Sequence, residues 1–250
     1  MPKWFQAGLW GLISGSALVI GAVLAYATRL PQRVIAAIMA FGSGVLISAL
    51  SFELMDEAFR TGGFLSTAIG FVAGAATYTA ANIAVSRRGG HCRKRSGDQQ
   101  QPASEGNGAA IAIGALLDGI PESVIIGVSL LQGTGVSLVA VIAIFLSNLP
   151  EGLSSAAGMR HAGRRPAYVL GVWGGIALAS GVAALVGYTV FAGRPPEWIA
   201  ATQAVAAGAI LAMLADTMIP EAFETAHEYA GLITVLGFLA AFALSKLAGG

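Results

Sequence analysis

Charge is what this chain has least of. Only 11% of its 250 residues are Asp, Glu, Lys or Arg, while 56% are hydrophobic and the mean hydropathy is +0.74. A soluble domain carries about 25% charged residues, so that class is excluded and the chain reads as an integral membrane protein. Its single cysteine, Cys92, rules out a disulfide framework and a thiolate-rich metal cage. A net charge of +1 offers no basic surface to nucleic acid. Histidine is also scarce, with three in the chain. Ser147 has none near it in sequence and His161, the closest in number, falls in a loop. An intramembrane hydrolase would therefore lack a nucleophile and base, and no enzymatic activity is expected.

What is present is a series of long apolar runs. Eight can be marked, at 5–28, 34–53, 64–86, 108–131, 136–159, 167–192, 198–220 and 229–248, each near the roughly 20 residues that cross a bilayer. The expected fold is an all-α membrane protein of eight transmembrane helices in a single domain, 1–250. The first run ends in an Ala25-Tyr26-Ala27 that mimics a signal-peptidase site, but it is too long for a cleaved apolar region and is read as a retained helix. Between Ser86 and Gly108 the composition turns polar, with Gly89-Gly90 and Gln99-Gln100-Gln101-Pro102, which reads as a flexible loop at about 87–107 dividing three helices from five. His91 and Cys92 within it make a weak metal pair without further ligands.

Ten of the fourteen basic residues fall in the first, third and fifth loops, namely Arg29, Arg33, Arg87, Arg88, Arg93, Lys94, Arg95, Arg160, Arg164 and Arg165. Positive charge is retained in the cytoplasm, so those loops are expected inside and both termini outside. The compact loops suit a bacterial inner membrane.

The chain also repeats itself. Asp56-Glu57-Ala58-Phe59, after the second run, resembles Pro220-Glu221-Ala222-Phe223 at the end of the seventh. The fourth and fifth runs each carry a proline followed by a glutamate, Pro121-Glu122 and Pro150-Glu151. Because the paired helices run in opposite directions, the pattern predicts a 3+2+3 inverted repeat with a binding site at the midplane.

The acids inside these runs carry the chemical signal. Asp118, Glu122 and Glu151 lie near the midpoints of their helices, where each charge costs about 2.5–3.5 kcal/mol on insertion scales. No Lys or Arg occurs in the central spans, so protonation or a bound cation has to offset that cost. In each motif a polar residue precedes the glutamate by four positions, Asp118 or Ser147, one turn away on the same face. Each proline lacks an N–H and so frees the carbonyl of Leu117 or Leu146 as an oxygen ligand. Glu53, Asp216 and Glu221 lie nearer the helix ends, where they suit an entrance or exit route. Asp56, Glu57 and Glu224 fit equally well as solvated acids at the membrane surface, and His227 and Glu228 beside Glu224 suggest a cytoplasmic exit site.

At these residues the chain resembles the ZIP family of divalent-metal transporters, along essentially its whole length. The family often reads His-Asn-x-Pro-Glu-Gly where this chain has Ser147-Asn148-Leu149-Pro150-Glu151-Gly152. The resemblance implies a metal site of Asp118, Glu122, Ser147, Asn148 and Glu151, and movement of zinc or a similar metal into the cytoplasm, the metal being cargo rather than a resident cofactor. The family's histidine positions are here Asp118 and Ser147, and an asparagine position is Gly119. Oxygen ligands are harder than imidazole, so manganese, ferrous iron or cadmium are expected beside zinc. No sixth-helix carboxylate is available for a second metal. A homodimer is compatible with this reading. The alternative is a proton- or cation-coupled carrier of a small organic solute, with the acids as a proton relay. The lack of midplane Lys or Arg disfavours an anionic substrate.

Overall fold

In a hydrocarbon solvent each backbone amide must find its partner within its own segment, and a chain this apolar has helices as its open-ended solution. The computed structural model describes residues 1–28, 30–87, 108–132 and 135–248. Among the described residues there are helices and no strand. The expected loop lies almost wholly outside them, with His91 and Cys92. Six helices are long and apolar enough to cross a membrane, and two of these are far longer than a bilayer is thick, at 54 and 52 residues.

In chain order the elements are α1 (Lys3–Ala27), α2 (Gln32–Ala49), a π-helical turn (Leu50–Met55), α3 (Asp56–Val85), α4 (Gly108–Ser129), α5 (Leu138–His161) and α6 (Pro166–Phe191). Then follow α7 (Pro196–Met213), a second π turn (Leu214–Met218), α8 (Ile219–Ala226) and α9 (Ala230–Ala248). The sequence pattern stops the second span at residue 53 and opens the third at 64. The structure instead carries the helix on, because Leu54 and Ala58 still bury apolar side chains and Arg60 pairs with Asp56 one turn away at 2.9 Å. The break comes at Gly63, whose φ of 69° is one that L side chains rarely adopt. In the other long helix it comes at His227, φ 44°.

The helices pack as α1 against α5 and α6, α4 against α6, α3 against α7, and α2 against α5 and α9. Some of these crossings are too close for a Cβ. An added Cβ on Gly44 of α2 would meet Thr234 O of α9 at 1.9 Å, and one on Gly208 of α7 would meet Phe71 O of α3 at 1.9 Å. Small residues allow such approach where no hydrophobic force drives helices together within lipid. One core joins Met39, Ile125, Ile126, Met213 and Met218, from α2, α4, α7 and the turn after it; a second joins Leu18, Leu153 and Trp173, from α1, α5 and α6.

At one end of the bundle Arg160, in the last turn of α5, donates through Nη1 to the carbonyls of Ala25 (2.7 Å), Tyr26 (3.3 Å) and Thr28 (2.9 Å). It thereby satisfies the open carbonyl end of α1 and complements its dipole. Tyr26 Oη donates to Arg164 O at 2.9 Å. The connection after α1 and the one after α5 thus share one end. At another, Ser137, which caps α5, and Ser245 of α9 both reach Glu53 after α2.

Candidate functional site

α4 and α5 stay helical through Pro121 and Pro150, and their polar residues turn inward. Asp118 and Glu122 are 2% and 1% exposed, and Ser147, Asn148 and Glu151 are 1%, 4% and 4%. The five residues the sequence singles out are thus all buried in an apolar bundle, on the two helices expected to carry them. The freed carbonyl of Leu146 faces α2, where a Cβ on Gly42 would lie 3.6 Å from it.

The hydrogen bonds decide which atoms are left for a ligand. Asn148 Nδ2 donates to Ser14 O of α1 at 3.2 Å, which engages the amide nitrogen and makes Oδ1 the atom available to a cation. Ser147 Oγ donates to Ile144 O at 2.9 Å, so its proton is taken and its lone pairs remain. On α4, Asp118 Oδ1 accepts from Tyr78 Oη at 2.7 Å. Tyr78 is itself buried in α3, and the bond gives its hydroxyl the partner that a buried phenol needs. Among the described residues, no three His, Cys, Asp or Glu side chains stand close enough together to hold a metal by themselves. A cation bound here draws on neutral oxygens as well as carboxylates.

Of the acids nearer the helix ends, Glu221 of α8 is buried, and its Oε1 accepts from Ser154 Oγ of α5 at 3.2 Å. Ser154 lies three residues past Glu151, so Glu221 continues the polar line of α5 by almost one turn. Glu53 accepts from Ser245 Oγ at 2.6 Å and from Ser137 Oγ at 3.4 Å. Asp216 is exposed and takes Asn82 Nδ2 of α3 at 3.3 Å; the structure does not bring it to the buried set. Asp56 is held by Arg60. His227 and Glu228 line a cavity of about 530 Å³ with Arg33 and Tyr229. His161 lines another, of about 430 Å³, with Arg160 and Thr28.

Tyr78, Ser14 and Ser154 were not legible as site neighbours. Tyr78 had a weak signal, a phenol in the apolar third span, since a buried Tyr hydroxyl usually finds a partner. Ser14 contributes a main-chain carbonyl, for which sequence has no signal. No family model matches the chain, and no curated protein matches it either.

Proposed function

We propose that the chain is a divalent metal cation transporter, similar to the ZIP family, moving zinc or a similar metal into the cytoplasm through a site of Asp118, Glu122, Ser147, Asn148 and Glu151. The observation that carries this reading is the burial of Glu122 and Glu151 at 1% and 4% exposure, each directly after an in-helix proline, with Asn148, whose Nδ2 is engaged by Ser14 O, three residues before Glu151 on α5. Buried carboxylates need a proton or a cation to offset their desolvation, and oxygen donors without thiolate or imidazole suit hard divalent ions. The metal would take amide and hydroxyl oxygens together with carboxylate, and Glu221, tied to Ser154, gives it a next carboxylate further along α5.

The eight-span, inverted-repeat architecture belongs to the same proposal. Its support is a spacing of 164 residues that recurs between the halves: the π turns begin at Leu50 and Leu214, and the breaks fall at Gly63 and His227. The close-packed Gly44 and Gly208 are spaced alike, as are Asp56 and Pro220, which open the matched tetrapeptides. The packing pairs exchange too, since α3 with α7 becomes α2 with α9 when the first three spans trade places with the last three. Each long helix then counts as two spans, one of them bent at a π turn of the kind found at functional sites. The basic loops orient the termini outward, in a bacterial inner membrane.

The test is flux. Protein reconstituted in liposomes containing a metal-sensitive dye takes up zinc and manganese, and Glu122→Gln and Glu151→Gln at equal incorporation do not. Uptake by both variants at the parent rate overturns the metal site. Proton movement that requires an organic solute, without metal flux, favours the solute carrier.

A further inference from the structure

The break at Gly63 does something to the outer surface of the bundle as well as to the helix. An added Cβ at Gly63 would find nothing within 4 Å, and beside it opens a groove of about 760 Å³, within the roughly 300–1,000 Å³ of ligand clefts. Its walls are apolar and include Phe52, Met55, Phe59, Phe64, Phe71 and Val72. Its rim carries Asp56, Arg60 and Lys246. Asp56 is already engaged by Arg60 at 2.9 Å. Lys246 Nζ lies over the rings of Phe52 (5.6 Å) and Phe242 (5.5 Å) and meets no carboxylate among the described residues. The rim therefore has one positive charge in excess.

Depth in the membrane follows from the backbone. Lipid-exposed irregular backbone is not tolerated within the hydrocarbon, so the break at Gly63 marks the level of the headgroups. Thr67 Oγ1 donates to Gly63 O at 2.8 Å and satisfies one carbonyl there. Past the break Phe64, Ile69 and Val72 are 75%, 61% and 66% exposed, as suits contact with acyl chains. From Phe64 to Val72 the helix rises about 12 Å, close to one leaflet's half of an approximately 30 Å hydrocarbon core.

We propose that this groove is a binding site for an anionic phospholipid, with an acyl chain laid along Phe64, Phe71 and Val72 and the phosphate on Lys246. The proposal rests on the chain lying in a membrane and not on what it transports. A second copy of the chain could cover the apolar walls, but the one carboxylate it could offer from this rim, Asp56, is already engaged.

Native mass spectrometry of the purified chain in a non-ionic detergent tests this, with titration of phosphatidylglycerol and of phosphatidylcholine bearing the same acyl chains. The parent should retain one phosphatidylglycerol in preference to phosphatidylcholine. Lys246→Gln, at an exposed position in the last turn of α9, should weaken phosphatidylglycerol about fivefold, the usual effect of one basic residue at a lipid surface, and leave phosphatidylcholine unchanged. Ala68→Trp, which fills the groove, should weaken both. Equal retention of the two lipids by the parent overturns the proposal, as does undiminished phosphatidylglycerol on Lys246→Gln. So does a parent dimer that Ala68→Trp dissociates while lipid retention stays the same.

Discussion

Glu151→Gln keeps the volume of the side chain and removes its charge, which separates a metal ligand from a packing residue without opening a cavity. Glu151 is 4% exposed in α5, next to Pro150. At a metal concentration about 100 times Kd, a bound ion stabilises the native state by about 2.7 kcal/mol. At about 2–4 °C per kcal/mol for a chain of this size, the parent should gain roughly 5–11 °C on adding zinc. Two unit charges 4 Å apart interact by about 4 kcal/mol at an effective dielectric of about 20, and a divalent ion doubles that. Loss of the carboxylate therefore weakens binding at least about a thousandfold. At the same zinc concentration the remaining stabilisation is then under about 0.1 kcal/mol, and the shift falls below about 1 °C. Without metal the variant should unfold no lower than the parent, because a buried carboxyl costs about 2.5–3.5 kcal/mol to insert and an amide less. Thermal unfolding in detergent, followed by the emission of the four tryptophans, reads both effects. An unchanged zinc-induced shift in Glu151→Gln would refute the reasoning.

Three further outcomes are expected. In competition uptake, the double variant Asp118→His, Ser147→His should prefer zinc over excess manganese more sharply than the parent; an unchanged metal ranking means that neither position faces the metal. Gly208→Ala places a Cβ 1.9 Å from Phe71 O, so it should lower stability by about 1–3 kcal/mol or more, visible in the same unfolding assay. The single cysteine, Cys92, should react with a membrane-impermeant maleimide in inverted vesicles and not in intact cells, and labelling from outside would reverse the topology.

Burial and hydrogen bonding join residues that sequence cannot pair. Tyr78 meets Asp118 40 positions on, Asn148 reaches Ser14 134 positions back, and Ser154 finds Glu221 67 positions away. Such contacts depend on which faces of separate helices meet, and an almost uniformly apolar helix carries no hydrophobic periodicity to announce its faces. Asp216 illustrates the same limit. By sequence it is equivalent to Glu221, an acid near the end of a run, yet the π turn at Leu214–Met218 and the packing of α7 on α3 leave it exposed beside Asn82.

The sequence by itself determined the class of solvent and the placing of prolines and carboxylates within the apolar runs. Apolar runs of about 20 residues satisfy their backbone polarity in lipid as helices, and a proline directly before a glutamate fixes a missing N–H and a carboxylate at neighbouring points of one helix, whatever surrounds them. Tertiary structure alone decided where the π turns fall and which polar groups meet. Gly62-Gly63 marks its break locally, since glycine adopts that φ freely, whereas the π turns at Leu50–Met55 and Leu214–Met218 and the break at His227 have no such local signal. Packing likewise puts Glu221 on the line of α5 and leaves the groove under Lys246 open, because both depend on distances between helices that no local preference encodes.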